Sequence, residues 1–410
     1  MIHICFALHD KTGHYSKFVG TTMLSIFENV FAPPYSITIH ILHDNTLRPD
    51  NHDKFIYVAG RYNQLVKFYN VEELCPDKIS EMVNLIPLSK TSRLSVAALY
   101  RLLIPQIFSP DIEKAIYLDA DIIVNMNINE LWQVELNDKP IAAADEIRAD
   151  SFSHPMNASH NYLVTSGLVE YNDYFNSGVL LMNLDILRDK EENIIRGVKF
   201  VGEHPQLQYL DQEVLNYLFS KNYLKLNEKF NFFVREARSR REMRPARKIY
   251  HFAGAVFGMN INDPFNRLWL KYFMKTPWFN EETIGRLYDG FEQMYNGLKN
   301  SMINISATMS GKKRAFFTTP ENVEATKGIF SVRDDEEIIL IENQKSLQKL
   351  IDAMKRSKGK KIFFILYPYF QFNVLTKEGF VYGRDFLNGL EFLSTEHGVP
   401  FNSYPLIQAM

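Results

Sequence analysis

The chain of 410 residues is longer than one typical domain, and with 46% hydrophobic and 13% aromatic residues it can build a sizeable core, which excludes a disordered protein. Its formal net charge of -2, with both signs interspersed, argues against a general nucleic-acid-binding protein. The chain has only two cysteines, Cys5 and Cys75, which provide neither a disulfide framework nor a zinc-binding spacing.

The N-terminal residues indicate the compartment. The start, Ile2–Leu8, is short and runs directly into His9-Asp10-Lys11, so it is interpreted as a first strand and not as a signal peptide. No stretch approaches the roughly 20 apolar residues that cross a bilayer. We therefore expect a cytoplasmic protein, at most peripheral at the inner face of the membrane.

Short apolar strands alternate with helical patterns from the first residue onward. Pro33-Pro34 separates the first helix from the second strand and completes a βαβ unit. This alternation is typical of an α/β fold with a mostly parallel sheet flanked by helices. The predicted strands lie at residues 2–8, 36–42 and 64–70, and the predicted helices at residues 17–29, 50–62 and 95–107.

The next apolar run, residues 115–118, is interrupted by Asp119-Ala120-Asp121 and resumes at residues 122–124. Two carboxylates inside a buried strand would cost several kcal/mol each unless a partner neutralises them. Because side chains alternate along an extended chain, Asp119 and Asp121 point the same way and could share one ion. Oxygen ligands suit Mg²⁺ or Mn²⁺. The alternative is a polar loop between two short strands.

Polar residues also stand at the ends of the later strands. Ligands of open parallel sheets bind beyond the carboxyl ends of the strands, so we expect these residues and Asp10 to form one rim with the two aspartates. They are Asp145 after a strand at 140–145, Asn176 and Ser177 before a strand at 179–183, Asp211 and Gln212 at the start of a helix, and His251 after a strand at 248–250.

The order of these motifs resembles the family-8 retaining glycosyltransferases, which include glycogenin and bacterial lipooligosaccharide galactosyltransferases. The resemblance covers residues 1–278. It implies a GT-A fold, a UDP-sugar donor, and Mn²⁺ (or Mg²⁺) held by Asp119, Asp121 and His251. The motifs in chain order are Tyr100-Arg101, Tyr117-Leu118-Asp119-Ala120-Asp121, Phe175-Asn176-Ser177-Gly178, Leu210-Asp211-Gln212 and His251-Phe252-Ala253-Gly254.

The resemblance also implies roles for single residues. Arg101 would fix the donor sugar and the nearby carboxylates, the alternative being a charge on a helix surface. The N-terminal turn has two extra residues here, so it stays open which of His9 and Asp10 meets the base. The remaining roles are uracil and ribose binding by Ala7 and Tyr15, donor contacts by Ala120, Asn176, Ser177 and Gly254, and catalysis at the sugar by Asp145, Asp211 and Gln212.

The function implied is retaining transfer of galactose or glucose from a UDP-sugar to a cell-surface glycan or a glycoprotein. In one place the family pattern is absent, because Phe257 stands where the family has a lysine that contacts the diphosphate. The alternative is therefore a catalytically weak sugar-nucleotide-binding or partner module. A run of arginines precedes His251, and three interpretations stay open: a substitute for that lysine, a membrane-surface or acceptor patch, or a solvated loop. Its members are Arg235, Arg238, Arg240, Arg241, Arg244 and Arg247.

The chain is predicted to contain three parts: a catalytic domain at residues 1–280, a helical linker at 281–312 and a small α/β or α+β accessory domain at 313–410. The accessory domain has strand patterns at 337–341 and 361–366 and helix patterns at 344–355 and 385–394. Its sequence contains no nucleotide, metal or nucleophile motif. Acceptor choice, oligomerisation and docking to another enzyme are its candidate roles.

Overall fold

The computed structural model describes residues 1–86, 96–146, 158–253, 263–285, 289, 311–342, 345–367 and 370–390. Two units are present. The N-terminal unit comprises Met1–Phe257 and Ile261–Asn280, and the C-terminal unit comprises Gly258–Asn260 and Glu281–Met410. Within the described ranges, no helix combines the length and apolar character needed to cross a membrane.

The N-terminal unit alternates strands and helices, as its sequence predicts. Its described strands are β1 (Ile2–Leu8), β2 (Ile37–His43), β3 (Leu65–Asn70), β4 (Lys114–Leu118), β5 (Ile122–Val124), β6 (Ile141–Asp145), β7 (Phe175–Asn183), β8 (Leu224–Lys225), β9 (Phe232–Phe233) and β10 (Ile249–His251). Its described α-helices are α1 (Ser16–Asn29), α2 (Pro49–Arg61), α3 (Val71–Leu74), α4 (Pro76–Leu85), α5 (Ile104–Ile107), α6 (Asn129–Trp132), α7 (Ala158–Thr165), α8 (Leu184–Arg188), α9 (Glu191–Glu203), α10 (Leu210–Phe219), α11 (Val234–Ser239) and α12 (Pro264–Phe273).

Seven strands form the main sheet in the order β3-β2-β1-β4-β7-β6-β8. All of them run in one direction except β7, which is antiparallel to both β4 and β6. The strands in the middle of the sheet are buried along almost their whole length, as expected for a sheet covered by helices on both faces. The predicted α/β class with a mostly parallel sheet is confirmed.

The apolar run interrupted by Asp119 and Asp121 is not one strand. Its first half, β4, belongs to the main sheet, whereas its second half, β5, belongs to a small sheet with the order β5-β10-β9. β5 pairs antiparallel with β10, and this places Ile122 opposite His251. The two aspartates therefore lie where the chain passes from one sheet to the other.

The amphipathic helix predicted at residues 95–107 is two shorter elements. Val96–Leu103 forms a 3-10 helix, and only α5 is α-helical. Pro105 explains the break, because it has no N–H to donate to the carbonyl of Arg101 and its ring crowds that carbonyl in a continuous α-helix. The inward-facing residues of this segment stay buried, so Arg101 is held inside the protein.

The C-terminal unit is a smaller α/β module. Its four described strands are all parallel, in the order β12-β11-β13-β14. The strands are β11 (Lys313–Thr318), β12 (Glu337–Leu340), β13 (Lys361–Ile365) and β14 (Phe386–Asn388), and the described helices are α13 (Val323–Phe330), α14 (Ser346–Ser357) and α15 (Asn373–Lys377). Helices pack on both faces, with Phe317 and Phe363 in one core and Phe316 and Phe364 in the other.

One helix of this unit was predicted with the wrong start. Residues 385–394 carry a helical pattern, but Phe386–Asn388 form β14, which pairs with β13 through Phe363 and Phe386. Pairing at a sheet edge buries Phe386 and Leu387 and outweighs the weak local preference. Residues 389–390 are helical as predicted, and residues 391–394 lie outside the described part of the chain.

Candidate functional site

A cavity of about 690 Å³ opens at the edge of the main sheet where β1 and β4 end and antiparallel β7 begins. Most residues predicted for the site line it. These are Ala7, His9, Tyr15, Arg101, Asp119, Ala120, Asp121, Asn176, Ser177, Asp211, Gln212 and His251. Asp10 and Asp145 do not line it, and Gly254 and Phe257 lie outside the described residues.

Asp119, Asp121 and His251 converge in this cavity. Ligand atoms of the three side chains lie within 4.8 Å of one another. His251 Nε2 lies 3.3 Å from Asp121 Oδ1 and 3.8 Å from Asp119 Oδ2. Two carboxylates and one imidazole are a donor set suited to a divalent cation such as Mn²⁺. The pairing of β5 with β10 brings together residues that are about 130 positions apart.

The surroundings of the cluster fit a metal site. Asn231 Oδ1 accepts a hydrogen bond from His251 Nδ1 at 2.9 Å, which directs the Nε2 lone pair toward the two carboxylates. Gly178 leaves the space that the cluster occupies, since a Cβ there would lie 2.3 Å from His251 Cε1 and 2.7 Å from Asp119 Oδ2. The Gly178 carbonyl also accepts from the Asp119 N–H at 2.8 Å and fixes that backbone.

The protonation of the cluster in the absence of an ion follows from its charges. Burial lowers the pKa of His251, but the carboxylates of Asp121 and Asp119 outweigh burial and hold it above its ordinary value. Burial likewise opposes ionisation of Asp121, whereas His251 holds the pKa of Asp121 below its ordinary value. A proton on His251 then compensates part of the negative charge. A bound divalent cation would take over that role and release the proton.

Arg101 connects the cluster to the rest of the site. Its guanidinium donates to Asp119 Oδ1 at 2.7 Å and to the carbonyl oxygen of Ser177 at 2.8 Å, and its Nε lies 3.0 Å from Asp211 Oδ2. The guanidinium stacks over the Tyr117 ring at 4.2 Å. Arg101 is only 7% exposed, so the alternative of a charge on a helix surface is wrong.

Asp211 and Gln212 lie in the first turn of α10 and line the same cavity. Gln212 Oε1 accepts from Asn176 Nδ2 at 3.0 Å and from the Ser177 N–H at 3.1 Å. The Ser177 hydroxyl donates to Asp211 Oδ2 at 3.0 Å. Burial raises the pKa of Asp211 to about 6 despite the neighbouring Arg101. These bonds hold both side chains in one orientation before any ligand binds.

Glu146, rather than Asp145, lines the cavity after β6. The Asp145 carboxylate accepts from the Tyr223 hydroxyl at 2.8 Å and lies 3.3 Å from Lys225 Nζ. Glu146 is buried and accepts from Asn176 Nδ2 at 2.8 Å. Successive side chains alternate, and the pairing of β6 with β7 is irregular between residues 143 and 145, so the adjacent acid is the one aimed at the cavity. The sequence contains both acids but no sign of that irregularity.

The adjacent residues His9 and Asp10 of the N-terminal turn have different environments. His9 lines the cavity and its Nδ1 contacts Asp44 Oδ2. Asp10 is 1% exposed and accepts from the N–H groups of Tyr15 (2.7 Å) and Ser16 (3.0 Å). Asp10 therefore shapes the turn before α1, and His9 is the one of the two that a ligand in the cavity can reach.

The arginine run is spread over several environments. Arg235, on α11, lines the cavity, with its guanidinium 5.1 Å from the Phe233 ring centroid and one terminal nitrogen 3.9 Å from Glu146. Arg241 and Arg244 are exposed. The other three pair with carboxylates outside the cavity: Arg238 with Asp263, Arg240 with Glu236 and Arg247 with Glu130.

A buried acid behind the site, which no sequence motif marks, gives a prediction for stability. Burial raises the pKa of Glu213 to about 7, and its Oε1 accepts from the Tyr174 hydroxyl, which itself accepts from Gln212 Nε2. A raised pKa means that the folded state binds a proton that the unfolded state has released, so this group's contribution to stability is lost as the pH rises from about 4.5 to 7.

Glu213→Gln should remove this loss of folding stability at rising pH, because glutamine does not ionise. We expect the variant to gain on the order of 3 kcal/mol relative to the wild type between pH 4.5 and pH 8, since one pKa unit corresponds to about 1.4 kcal/mol. Urea unfolding followed by tryptophan fluorescence measures this, because Trp132, Trp269 and Trp278 all belong to the N-terminal unit. An equal stability difference at both pH values would contradict the assignment.

Known proteins are similar to this chain in sequence. The model of glycosyl transferase family 8 matches residues 4–256. A putative glycosyltransferase of Haemophilus influenzae is 29% identical over 221 residues, which are 53% of this chain and 60% of that protein. The lipopolysaccharide 1,2-glucosyltransferase of Escherichia coli is 27% identical over 234 residues, 53% of this chain and 59% of that protein. The match thus spans about three fifths of each relative.

Among solved structures, the galactosyltransferase LgtC in complex with donor and acceptor sugar analogs is similar to 69% of this chain. The TM-score is 0.52 at 22% sequence identity, and 99% of LgtC is covered. This similarity confirms the predicted fold, a GT-A type of α/β arrangement with a mostly parallel sheet.

Proposed function

The chain belongs to glycosyl transferase family 8, and from this premise we propose that it transfers galactose or glucose from a UDP-sugar to a glycan or glycoprotein acceptor with retention of the anomeric configuration. The single observation that carries the proposal is the convergence of Asp119, Asp121 and His251 in a cavity that also contains Asp211 and Gln212. A cation site beside fixed polar groups is what a nucleotide-sugar donor requires.

The donor set fits Mn²⁺, which when bound would stabilise the negative charge that develops on the departing diphosphate. Arg101 holds Asp119 in place for that role and at the same time lies against Asp211. The buried guanidinium of Arg101 thus fixes a residue on the metal side of the cavity and a residue on the sugar side. Such preorganisation lowers the cost of charge development in the transition state.

At the other end of the donor, the hexose ring becomes oxocarbenium-like as the bond between its anomeric carbon and the phosphate oxygen breaks. Carboxylate and amide oxygens near that carbon stabilise the positive charge. Asp211, Gln212 and Glu146 supply such oxygens in the cavity wall. The acceptor hydroxyl attacks from the side of the leaving group, and its proton passes to an oxygen of the departing phosphate. No histidine is required as a general base.

The second candidate, a catalytically weak sugar-nucleotide-binding module, follows from Phe257 in place of the family lysine. Measuring the turnover of UDP-hexoses distinguishes the transferase from the binding module. We expect UDP release from UDP-galactose or UDP-glucose with Mn²⁺, and an α-linked product by NMR. Binding of UDP and Mn²⁺ without turnover of any UDP-hexose would favour the module, and a β-linked product would refute retention.

Arg235 is the proposed substitute for the missing lysine. It is the cavity-lining member of the arginine run, and a charge-assisted hydrogen bond to a phosphate is worth roughly 1.5–3 kcal/mol. We expect Arg235→Ala to weaken UDP binding about tenfold in a calorimetric titration with Mn²⁺.

Arg247→Ala is the matched control, since Arg247 is 78% exposed at its side chain and pairs with Glu130 away from the cavity. Its UDP affinity should equal that of the wild type. An equal loss of UDP affinity in both variants would indicate that the arginine run acts through its overall charge and not through a contact of Arg235. Unchanged UDP binding in Arg235→Ala, with lost vesicle association in Arg247→Ala, would favour the membrane-surface interpretation.

A further inference from the structure

The C-terminal unit has its own cavity of about 600 Å³, and the described residues that line it all belong to that unit. It lies at the carboxyl edge of the parallel sheet. Phe317 is near the end of β11, Ile341 directly follows β12, and Tyr367 follows β13. A volume of this size is within the range of about 300–1,000 Å³ that small-molecule sites occupy.

The strand order explains why a cavity forms there. From β11 the chain crosses to β12 on one side, and from β12 it returns to β13 on the other side of β11. β11 and β13 are therefore neighbours whose following segments diverge to opposite faces. In open α/β sheets the crevice beyond the carboxyl ends at such a switch point is where ligands bind.

The lining distinguishes between classes of ligand. Phosphate-binding sites of this architecture use a glycine-rich first turn and backbone N–H groups. Here the turn after β11 is Thr319-Pro320-Glu321-Asn322, in which Pro320 has no N–H, and none of the sequences at 319–322, 341–345 and 366–372 contains a glycine. The lining includes Glu321 and Glu342 and no lysine or arginine among its described residues. Lys349 Nζ lies 3.4 Å from the Glu342 carboxylate but is not among the described lining residues, so the described lining itself presents no cation to a ligand. Phosphates and other anions are thereby disfavoured.

The same lining suits a neutral, polyhydroxylated ring. Phe317 and Phe370 meet edge to face, with ring centroids 5.9 Å apart, and Tyr367 adds a third, half-buried aromatic ring. Polar groups of Glu342 and Gln371 stand beside these rings. A pyranose has an apolar face of C–H groups and an edge of hydroxyls, so aromatic rings can contact the first while carboxylate and amide groups bind the second.

We propose that the cavity between β11, β12 and β13 of the C-terminal unit binds an uncharged hexose residue of a saccharide. That this saccharide is the acceptor glycan or its product rests on the proposed glycosyltransferase function; the binding itself does not. Because both units belong to one chain, a saccharide held here raises the concentration of acceptor available to the N-terminal unit.

The test uses the full chain with UDP and Mn²⁺ present to fill the donor site. Saturation-transfer NMR is recorded with methyl glucosides, methyl galactosides, lactose and maltose, and with glucose 6-phosphate and glucuronic acid as anionic probes. We expect at least one neutral saccharide to bind, at least about tenfold more tightly than either anion. Tighter binding of an anionic probe, or binding of no neutral saccharide, would overturn the proposal.

Three variants test whether the saccharide binds in the cavity of the C-terminal unit. Phe370→Ala should weaken saccharide binding at least about tenfold, and Gln371→Ala, which changes only an exposed side chain, at least about threefold. Val381→Ala, which is 46% exposed and outside the cavity, is the matched control and should leave the affinity unchanged. Wild-type affinity in Gln371→Ala and in a folded Phe370→Ala would overturn the proposal.

Asp121→Asn separates this inference from the proposed function. In that variant the saccharide affinity should stay within about twofold of the wild type, although UDP release is lost. Loss of saccharide binding in Asp121→Asn would move the binding to the N-terminal unit and overturn the inference. Retained UDP release in Asp121→Asn would count against the proposed metal-dependent transfer and leave the saccharide result standing.

Discussion

Asp121→Asn is expected to lower the rate of the proposed hexose transfer at least about 10³-fold, because it would remove one of two anionic ligands from the proposed cation site while keeping the shape of the side chain. The effect should exceed the roughly 10–100-fold loss that results from removing an outer partner of a metal ligand. In the wild type, a chelator should abolish UDP release and Mn²⁺ should restore it. In the variant, added Mn²⁺ should not restore it.

Asp145→Asn is the matched control for that experiment. Asp145 is an aspartate at the same edge of the sheet, but its carboxylate contacts Tyr223 and Lys225 and does not line the cavity. The transfer rate of Asp145→Asn should stay within a few-fold of the wild type. Full activity of the wild type in chelator would refute the cation site. A decrease in transfer rate in Asp145→Asn as large as in Asp121→Asn would contradict the placement of Asp145 outside the cavity.

The second large effect is expected from Gly178→Ala, which leaves every proposed ligand in place. The added Cβ would lie 2.3 Å from His251 Cε1 and 2.7 Å from Asp119 Oδ2, distances that no real contact of this kind shows, so at least one ligand must move. Because cation sites tolerate only small departures in ligand position, we expect Mn²⁺-dependent UDP binding to weaken at least about 100-fold. Calorimetric titration of UDP in the presence of Mn²⁺ measures it.

Gly60→Ala provides the comparison. Gly60 lies near the end of α2 and a Cβ there would meet nothing within 4 Å. Alanine also has the higher helix propensity, by about 1 kcal/mol, so this variant should fold and bind UDP like the wild type. If Gly178→Ala bound UDP and Mn²⁺ with wild-type affinity, the close approach of β7 to the cluster would not be a requirement of the site.

Several features of the site follow from the sequence because they depend on short-range patterns. The alternation of apolar strands and helices predicts the α/β class, and the polar residues at strand ends predict the edge at which a site forms. The motif order, through its resemblance to family 8, predicted Asp119, Asp121 and His251 as one cluster, and the structure brings them within 4.8 Å of one another. The match to the family 8 model confirms that resemblance.

The sequence was less informative about which of several similar side chains faces the cavity. Asp145 and Glu146 are adjacent acids, and only the irregular pairing of β6 with β7 decides that Glu146 is the one inside. Six arginines precede His251, and the packing of α11 places Arg235 at the cavity while its neighbours pair elsewhere. Which side chain faces the cavity depends on strand register and helix packing, and a local sequence pattern does not predict these.

Hydrophobic periodicity and strand-end residues are local properties of the chain, and they are sufficient to predict the fold class, the edge of the sheet and the types of group gathered there. The remaining features arise only from tertiary contacts. These contacts divide the run around Asp119 and Asp121 between two sheets, place Phe386–Asn388 in an edge strand, and orient His251 through Asn231. Each of these depends on contacts between distant parts of the chain, where burial and backbone pairing outweigh local preference.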